Sequence, residues 1–389
     1  MIRALLAAAA VLVALPGAGA ALHLGLLALA SLAYREPRPA GPVPRARFLV
    51  LVPAHNEEPV IGATLAAIGR ELRPGDRVTV VADCCTDATA AVARAHGADV
   101  LERGAGLRPG RAAARQDGIA AALARADWDA LLMIDADSIV EPGFLDACER
   151  MLAAPGAPLA LQARSEAELA GGLVAQAGLA AFALQGLTIP RGRDVLRLSV
   201  RLRGTGMVLR REVVERFRFR APASEDLWYS LDLCLAGILP RHVESARLRS
   251  HSVRSWGAAS TQRQRYEAGR MSAAREFLPR LLHRPTPAAL EAAAFLATPP
   301  FAVAAGSLAA GLALALAAGA AAAAAALAAL LALLALTLVV GLVQARAGLR
   351  TWLALAAAPW YVLWKVGVQL RAIASVRRGQ ASYAPTARR

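Results

Sequence analysis

The chain has 389 residues, 57% hydrophobic and 19% charged, too apolar a mixture for an ordinary water-soluble enzyme. Its formal net charge of +15 is carried almost wholly by arginine, Lys365 being the one lysine. Such charge suits anionic lipid headgroups or a diphosphate ligand; no nucleic-acid motif accompanies it, so nucleic acid is set aside as a partner.

Residues 4–34 carry no charged side chain and outrun the apolar core of a secretory signal, which is about 7–15 residues. An uncleaved transmembrane helix is expected over 1–34. Arg35, Arg38, Arg45 and Arg47 crowd into the linker at 35–47, and the positive-inside bias puts the domain after them in the cytoplasm of a multi-pass inner-membrane protein.

From 48 to 259 apolar runs alternate with Ala-rich helical stretches at 86–96 and 111–125. Strands are expected at Phe48–Val52, Val78–Val81, Val100–Leu101 and Leu131–Ile134. The alternation predicts an α/β domain with a mostly parallel sheet covered on both faces, and ligands then bind beyond the carboxyl ends of the strands. Three polar segments fall at such ends: Pro53 to Glu58, Asp83 to Asp87, and Asp135 to Asp137. Thr86 is placed to cap the helix after the second strand, a role open to Asp83 and Asp87 as well. His55 has no histidine partner at ligand spacing and reads as structural. Cys84, Cys85, Cys148 and Cys234 show no metal-type spacing and fit a reducing compartment. Gly104-Ala105-Gly106 lacks the full dinucleotide fingerprint and reads as a loop.

Asp135-Ala136-Asp137 closes the fourth strand. Side chains repeat every two residues in extended chain, so both carboxylates face one way. A hard cation, Mg²⁺ or Mn²⁺, prefers a few carboxylates together with substrate phosphate oxygens. A solvated strand end is the competing reading. Farther on, Gly204-Thr205-Gly206 is either a turn or a close backbone approach to a ligand. Ser224-Glu225-Asp226 opens a helix, where acidic residues also simply favour the dipole.

The rest of the chain is membrane-like. Residues 260–285 form a basic amphipathic helix with Phe277, Leu278, Leu281 and Leu282 at helical spacing, suited to a membrane surface or to a globular face. The charge-free stretch from Ala292 to Gln344 is long enough for two spans within 290–345, turning near Gly319. Residues 350–375 read as an interfacial or re-entrant helix anchored by Trp352, Trp360 and Trp364, and 376–389 as a basic tail.

The ordered set Asp83, Asp135-Ala136-Asp137, Ser224-Glu225-Asp226 and Gln262-Arg263-Gln264-Arg265-Tyr266 resembles the membrane-bound family 2 glycosyltransferases, among them cellulose, chitin and hyaluronan synthases. That family shows an aspartate, D-x-D, T-E-D and Q-x-x-R-W in the same order, and the resemblance spans roughly 48–285. Ser224 and Tyr266 depart from its threonine and tryptophan, and Gly110-Arg111 stands for its Gly-Lys. The resemblance implies a GT-A-type fold and an inverting hexosyl transfer from a UDP-sugar to a lipid or growing glycan. Asp137 and Asp135 would hold the cation. Ala54, Glu57, Asp83, Arg111 and Asp135 would line the donor site, and Asp226 would be the general base. Gln262, Arg265 and Tyr266 would form the leaving-group wall, with Gly204 and Thr205 beside the acceptor. Processive polymer synthesis with export and a non-catalytic nucleotide-sugar sensor are the alternatives.

Overall fold

The structure is a computed structural model that describes residues 1–104, 110–167, 180, 182–220, 224–250, 256–355 and 358–377. Ala105 and Gly106 of the expected glycine loop and residues 378–389 of the basic tail lie outside the described residues.

Four strands stand where the apolar runs predict them: β1 (Phe48–Ala54), β2 (Arg77–Asp83), β3 (Asp99–Arg103) and β4 (Ala130–Met133). Four more have no counterpart among the expected strands: β5 (Ser138–Val140), β6 (Ala160–Ala167), β7 (Met207–Arg210) and β8 (Arg241–Ser250). All eight form one sheet in the order β3-β2-β1-β4-β7-β6-β8-β5. The first four run parallel, as strand–helix units require. The expectation of a mostly parallel sheet fails beyond β4: β7 is antiparallel to β4, β6 to β7 and β5 to β8. Only β6 and β8 pair parallel in that half. The sheet is therefore mixed, and the reversal has a physical cause. Gly204-Thr205-Gly206 must reach the carboxyl end of β4, and a strand that starts there can only run back along it. The Gly206 N–H donates to the Met133 carbonyl at 2.8 Å, fixing that meeting point.

Alternation along β1 and β4 sends Val50, Val52 and Leu132 to one face and Leu49, Leu51, Leu131 and Met133 to the other. Helices α2 (Glu58–Gly69) and α5 (Phe144–Leu152) cover the first face. The second is covered by α4 (Arg111–Leu123), α7 (Arg211–Arg216) and α8 (Glu225–Leu235). The short α3 (Thr89–Ala95) follows β2; Asp87, not Thr86, accepts the Thr89 N–H at 3.0 Å.

Helix α1 (Ile2–Ser31) is one of two described helices long and apolar enough to cross a membrane, the other being α12 (Ala321–Gln344). Between them α10 (Pro287–Ala297) and α11 (Phe301–Ala317) are bent by 67° at a short break, so that the pair would count as a third span. The break is set by Pro299 and Pro300, which offer no N–H to the turn before them. Arg270 of α9 (Trp256–Leu282) answers the freed carbonyls, donating to Thr298 at 2.6 Å and to Phe295 and Leu296 at 3.3 Å. Gly319, at φ +67°, makes the expected turn into α12. Phe277 and Leu281 of α9 are fully buried against α8 and α10. Two helices come after, α13 (Leu349–Ala354) and α14 (Ala358–Arg377); Trp364 and Tyr361 of α14 receive the Arg263 guanidinium at 5.0 and 5.6 Å from their ring centroids.

The apolar helices and the sheet domain are joined closely. Small residues of α1 meet α11 and α12 through Ala10, Ala14, Ala304, Leu308 and Leu327. Its lower half meets α6 (Ile189–Val195), where Leu27 packs on Ile189 and Leu198. Beside them Glu291 of α10 receives His23 at 2.9 Å, Arg193 at 2.8 Å and Arg201 at 3.2 Å. At Gly192 a Cβ would lie 2.0 Å from the backbone oxygen of Leu27, nearer than any side chain can tolerate. Gly192→Ala should therefore lower the thermal midpoint of the detergent-solubilised protein by an amount equivalent to ~1–3 kcal/mol of overpacking. The control is Gly69→Ala, a helical glycine with no neighbour within 4 Å. Equal midpoints for the two variants would show that α1 is not docked as described.

Candidate active site

At the carboxyl ends of β1 and β2 the chain adopts a rare backbone twice: Asn56 has φ 53° and Cys84 φ 51°, both in the left-handed region. His55 Nδ1 meets the Asp83 carbonyl oxygen at 2.5 Å, which ties one strand end to the other and fits a structural histidine. The Asp83 side chain is 3% exposed. Arg103 Nη1 donates to its Oδ1, and the Gly110 N–H donates to Oδ2 at 2.7 Å. Arg103, which no sequence motif singles out, also reaches Asp117 at 2.7 Å. Ala54 and Glu57 flank this corner: Cys85 Sγ approaches the Ala54 oxygen at 3.5 Å, and the Glu57 N–H donates to Thr89 Oγ1 at 2.9 Å.

The arginines of α4 organise the neighbouring strand end. Gly118 lets α4 close onto β1, since a Cβ there would sit 2.6 Å from Leu51 Cδ1. Arg111 and Arg115, one turn apart, consequently share a face directed at β4. Arg111 Nη1 lies 3.4 Å from Asp135 Oδ2. Arg115 is fully buried, with Nη1 2.8 Å from Glu225 Oε1 and Nη2 2.7 Å from the Gly204 oxygen and 3.3 Å from Asp135 Oδ1. One guanidinium thus joins the D-x-D pair, the S-E-D segment and the glycine loop. Its only sequence signal is its place four residues after Arg111 in an alanine-rich helix.

Asp135 is further fixed through its N–H, which donates to Thr205 Oγ1 at 3.1 Å, and Thr205 continues to Ser138 at 3.2 Å. Asp137 is 8% exposed and comes after Ala136, whose carbonyl accepts from Thr64 at 2.8 Å. Gly204 has φ +80°, and a Cβ on it would lie 3.3 Å from Arg115 Nη2 and 3.5 Å from Asp226 Oδ2. The loop therefore runs close past the carboxylate of Asp226. Asp226 opens α8 after Ser224, itself at φ 56°. Its Oδ1 accepts the Leu227 N–H at 2.8 Å. Burial, then the adjacent Glu225 charge, pushes its carboxyl up from 3.8 to about 6, while Arg115 and Arg111 pull the other way.

From α9, Tyr266 leaves 37% of its surface exposed while its hydroxyl end is enclosed. Its hydroxyl is pushed up to about 12 by burial and then by the negative charges of Glu267 and Asp226, with Arg270 and Arg203 opposing. Tyr266, Asp226 and Arg203 thus share one electrostatic neighbourhood. Arg265 precedes Tyr266 on the helix and is half-buried. The side chain of Gln262 lies outside the described residues.

Among the described residues no group of three histidine, cysteine or acidic side chains could by itself cage a metal ion. β4 ends at Met133 and Asp137 lies in a turn, so the alternation expected of extended chain does not run through Asp135 and Asp137; carboxylates are nonetheless the donors that a hard divalent cation takes together with waters and phosphate oxygens. A depression of about 330 Å³, lined by Arg47, Gly75, Asp76, Arg77 and Asp127, lies at the amino ends of β1 and β2. There Arg47 is paired with Asp129 at 3.1 Å and Arg77 with Asp127 at 3.1 Å, and ligands of such sheets bind at the opposite end.

Solved structures similar to this chain include the mannosyltransferase PcManGT from Pyrobaculum calidifontis in complex with GDP-Man and Mn²⁺. The identity is 18%, the TM-score 0.57, and the match covers 96% of this chain and 99% of that one. At 21% identity and TM-score 0.44, glucosyl-3-phosphoglycerate synthase from Mycobacterium tuberculosis, with Mn²⁺, UDP and glucosyl-3-phosphoglycerate, covers 64% of this chain and 83% of its own. S. aureus TarS residues 1–349 with UDP-GlcNAc are 14% identical at TM-score 0.46, covering 67% and 71%. The likeness to the first of these speaks to fold alone. None of the curated proteins matches the chain. The model of the family described as "Glycosyltransferase like family 2" matches residues 44–269, more than half the chain and the whole of the site above, and the chain belongs to that family.

Proposed function

We propose that this chain transfers a sugar, with inversion, from a nucleoside-diphosphate sugar to a hydroxyl-bearing acceptor at the membrane surface. The observation that carries the reading is the buried guanidinium of Arg115, which holds Asp135, Glu225 and Gly204 together, with Asp226 next to Glu225 and within reach of its charge. The donor side is Asp83, with Ala54, Glu57 and Arg111 around it. A divalent cation, Mg²⁺ or Mn²⁺, held by Asp137 and Asp135, would neutralise the departing diphosphate. Arg265 adds a guanidinium suited to phosphate oxygens, with Gln262 and Tyr266 beside it.

The base is Asp226. A carboxyl titrating at about 6 is ionised at neutral pH yet basic enough to take a hydroxyl proton as the oxygen attacks the anomeric carbon. The new carbon–oxygen bond forms on the face opposite the diphosphate, which leaves with the bonding electron pair. A single displacement of this kind inverts the anomeric centre.

UDP is the nucleotide expected from the resemblance; GDP-Man belongs in the donor panel because PcManGT holds it. Two described candidate spans, or three with the bent pair, are few for a polymer conduit and favour a lipid or short glycan acceptor. The arginines after α1 support a cytoplasmic active site, and the packing of α1 on α11 and α12 supports its retention as a span.

Three outcomes test this reading. Asp226→Asn should cost roughly 10²–10⁴-fold in transfer while nucleotide affinity is kept. Its folded carboxyl titrates above the ordinary 3.8, so the wild-type group's contribution to stability is full below that value and is lost as pH rises through about 6. The variant should consequently melt no lower than wild type at pH 8; a lower midpoint or lost nucleotide binding would assign Asp226 elsewhere. Second, Asp137→Asn or EDTA should abolish donor turnover across a panel of UDP-sugars and GDP-Man, with Mn²⁺ restoring the wild type only. Undiminished turnover in EDTA would remove Asp137 and Asp135 from a metal role. Third, Arg115→Met leaves the buried Glu225 carboxylate without its guanidinium and takes one of two arginine partners from Asp135, and should destabilise by ~3–5 kcal/mol, against ~0–1 kcal/mol for Arg111→Met at its more exposed position. Comparable losses in denaturant titrations would show that Arg115 is not the organising charge.

A further inference from the structure

We infer that the acceptor carries a phosphate group and that Arg203 is the residue that seats it. The inference rests on the glycosyl-transfer reading and adds the class of acceptor.

Arg203 immediately precedes Gly204, the residue whose Cβ position lies 3.5 Å from Asp226 Oδ2. Its backbone is clamped: the Arg203 N–H donates to Gln162 Oε1 at 2.8 Å, and Gln162 Nε2 donates to the Thr205 oxygen at 2.9 Å. The guanidinium is laid over Phe182, 5.5 Å from its ring centroid. A Cβ on Gly186, in the π-helical turn Leu184–Thr188, would stand 3.2 Å from Arg203 Nη1, so a larger residue there would crowd it. That Nη1 is shielded from water and has no hydrogen-bond partner among the described residues. Burial holds the group's proton affinity below the usual arginine range, and the neighbours that oppose this are Tyr266 and Asp226. A planar cation with an unanswered donor, beside the base but not paired with it, is suited to an anion that arrives with substrate. Phosphate matches the guanidinium fork.

The location favours a lipid as the bearer of that phosphate. The turn that meets Arg203 through Gly186 meets α12 through its other residues. Thr188 Oγ1 donates to Gln344 Oε1 at 3.0 Å, and a Cβ on Gly341 would lie 2.7 Å from Leu184 Cδ2. Ala180 and Ala183 pack with Leu342. One helical turn therefore separates the Arg203 guanidinium from the end of an apolar helix long enough to cross a membrane. A headgroup phosphate on Arg203 would leave its acyl chains beside α12 and a neighbouring hydroxyl beside Asp226. In the transfer step this phosphate is an anchor, not the nucleophile: the hydroxyl oxygen bonds to the anomeric carbon, its proton passes to Asp226, and the nucleoside diphosphate leaves.

The test uses the full chain in detergent, with dioctanoyl phosphatidic acid, dioctanoylglycerol and glycerol 3-phosphate as binding probes and Mn²⁺–UDP and Mn²⁺–GDP as controls. The phosphatidic acid should bind about 10–100-fold more tightly than dioctanoylglycerol, the difference made by hydrogen bonds to a charged group. Arg203→Gln should remove that preference, Arg203→Lys should keep part of it, and nucleotide affinity should not change in either, which also reports that they fold. Glycerol 3-phosphate binding as tightly as the lipid would uphold the phosphate and move its source to a soluble compound. Equal affinity for the phosphorylated and neutral lipids overturns the inference. So does a loss of nucleotide binding in Arg203→Lys, which would place the residue on the donor. Phosphate selectivity without turnover of any donor would instead break the glycosyl-transfer reading and leave the anion site standing.

Discussion

A fully buried guanidinium holds this site together. Asp135, Glu225 and Asp226 come from segments nearly a hundred residues apart in the chain, and three carboxylates gathered in a poorly solvated corner repel one another. Arg115 makes the gathering possible, bonding two of them directly and lowering the proton affinity of the third. The third is left incompletely compensated. Burial and the Glu225 charge together outweigh both arginines at Asp226, so that its carboxyl stands near 6. A partial neutralisation of this kind suits proton transfer near neutral pH better than a full ion pair would.

The mixed sheet serves the same end. A wholly parallel sheet would deliver only the ends of β1 to β4 to the site, each followed by its own helix. Antiparallel β7 brings in a segment by its beginning, with Gly204 and Thr205 placed at the β4 terminus before the strand turns away. Thr205 then fixes the Asp135 backbone, and the Gly204 carbonyl takes a hydrogen of Arg115. Positive φ at Gly204 and Gly206 allows this approach; at Gly206 a Cβ would lie 2.5 Å from Leu248 Cδ2.

Much of this is legible in the residues alone, and the illegible part has particular causes. Strands β1, β2 and β4 show as apolar runs because both faces are buried, and their polar ends declare the site. Strands β5 to β8 do not. Met207–Arg210 and Ser138–Val140 are too short for periodicity to register, and Arg241–Ser250 carries four arginine and acidic side chains. Asp83, Asp135, Asp226 and Tyr266 are visible as an ordered set. Arg103, Arg115 and Arg203 are hidden among many arginines, because what distinguishes them is burial and partners brought from other parts of the chain. Likewise the charge-free run from Ala292 carries no sign of how the bend at Pro299-Pro300 is satisfied, its loose carbonyls being met by Arg270 from the preceding helix.

The same arginine-rich composition explains how apolar helices and a charged domain can be one body. Glu291 faces His23, Arg193 and Arg201, and Arg193, Arg201 and Arg270 gather around the ring of Phe295. Pulling α1 or α10 from the domain would strand charges away from water, a cost of several kcal/mol for each unpaired group. Across the molecule Glu267 binds Lys365 at 3.1 Å and Arg270 at 3.1 Å, tying α9 to α14. Helix α9 carries Tyr266 and is held to α14 through Lys365 and to α10 through Arg270. Under the proposed reading, the acceptor side of the reaction is therefore shaped by the elements nearest the membrane, and the donor side by the parallel half of the sheet. A change in how α1, α10 or α14 sits would reach Tyr266 and Arg203 before it reached Asp83.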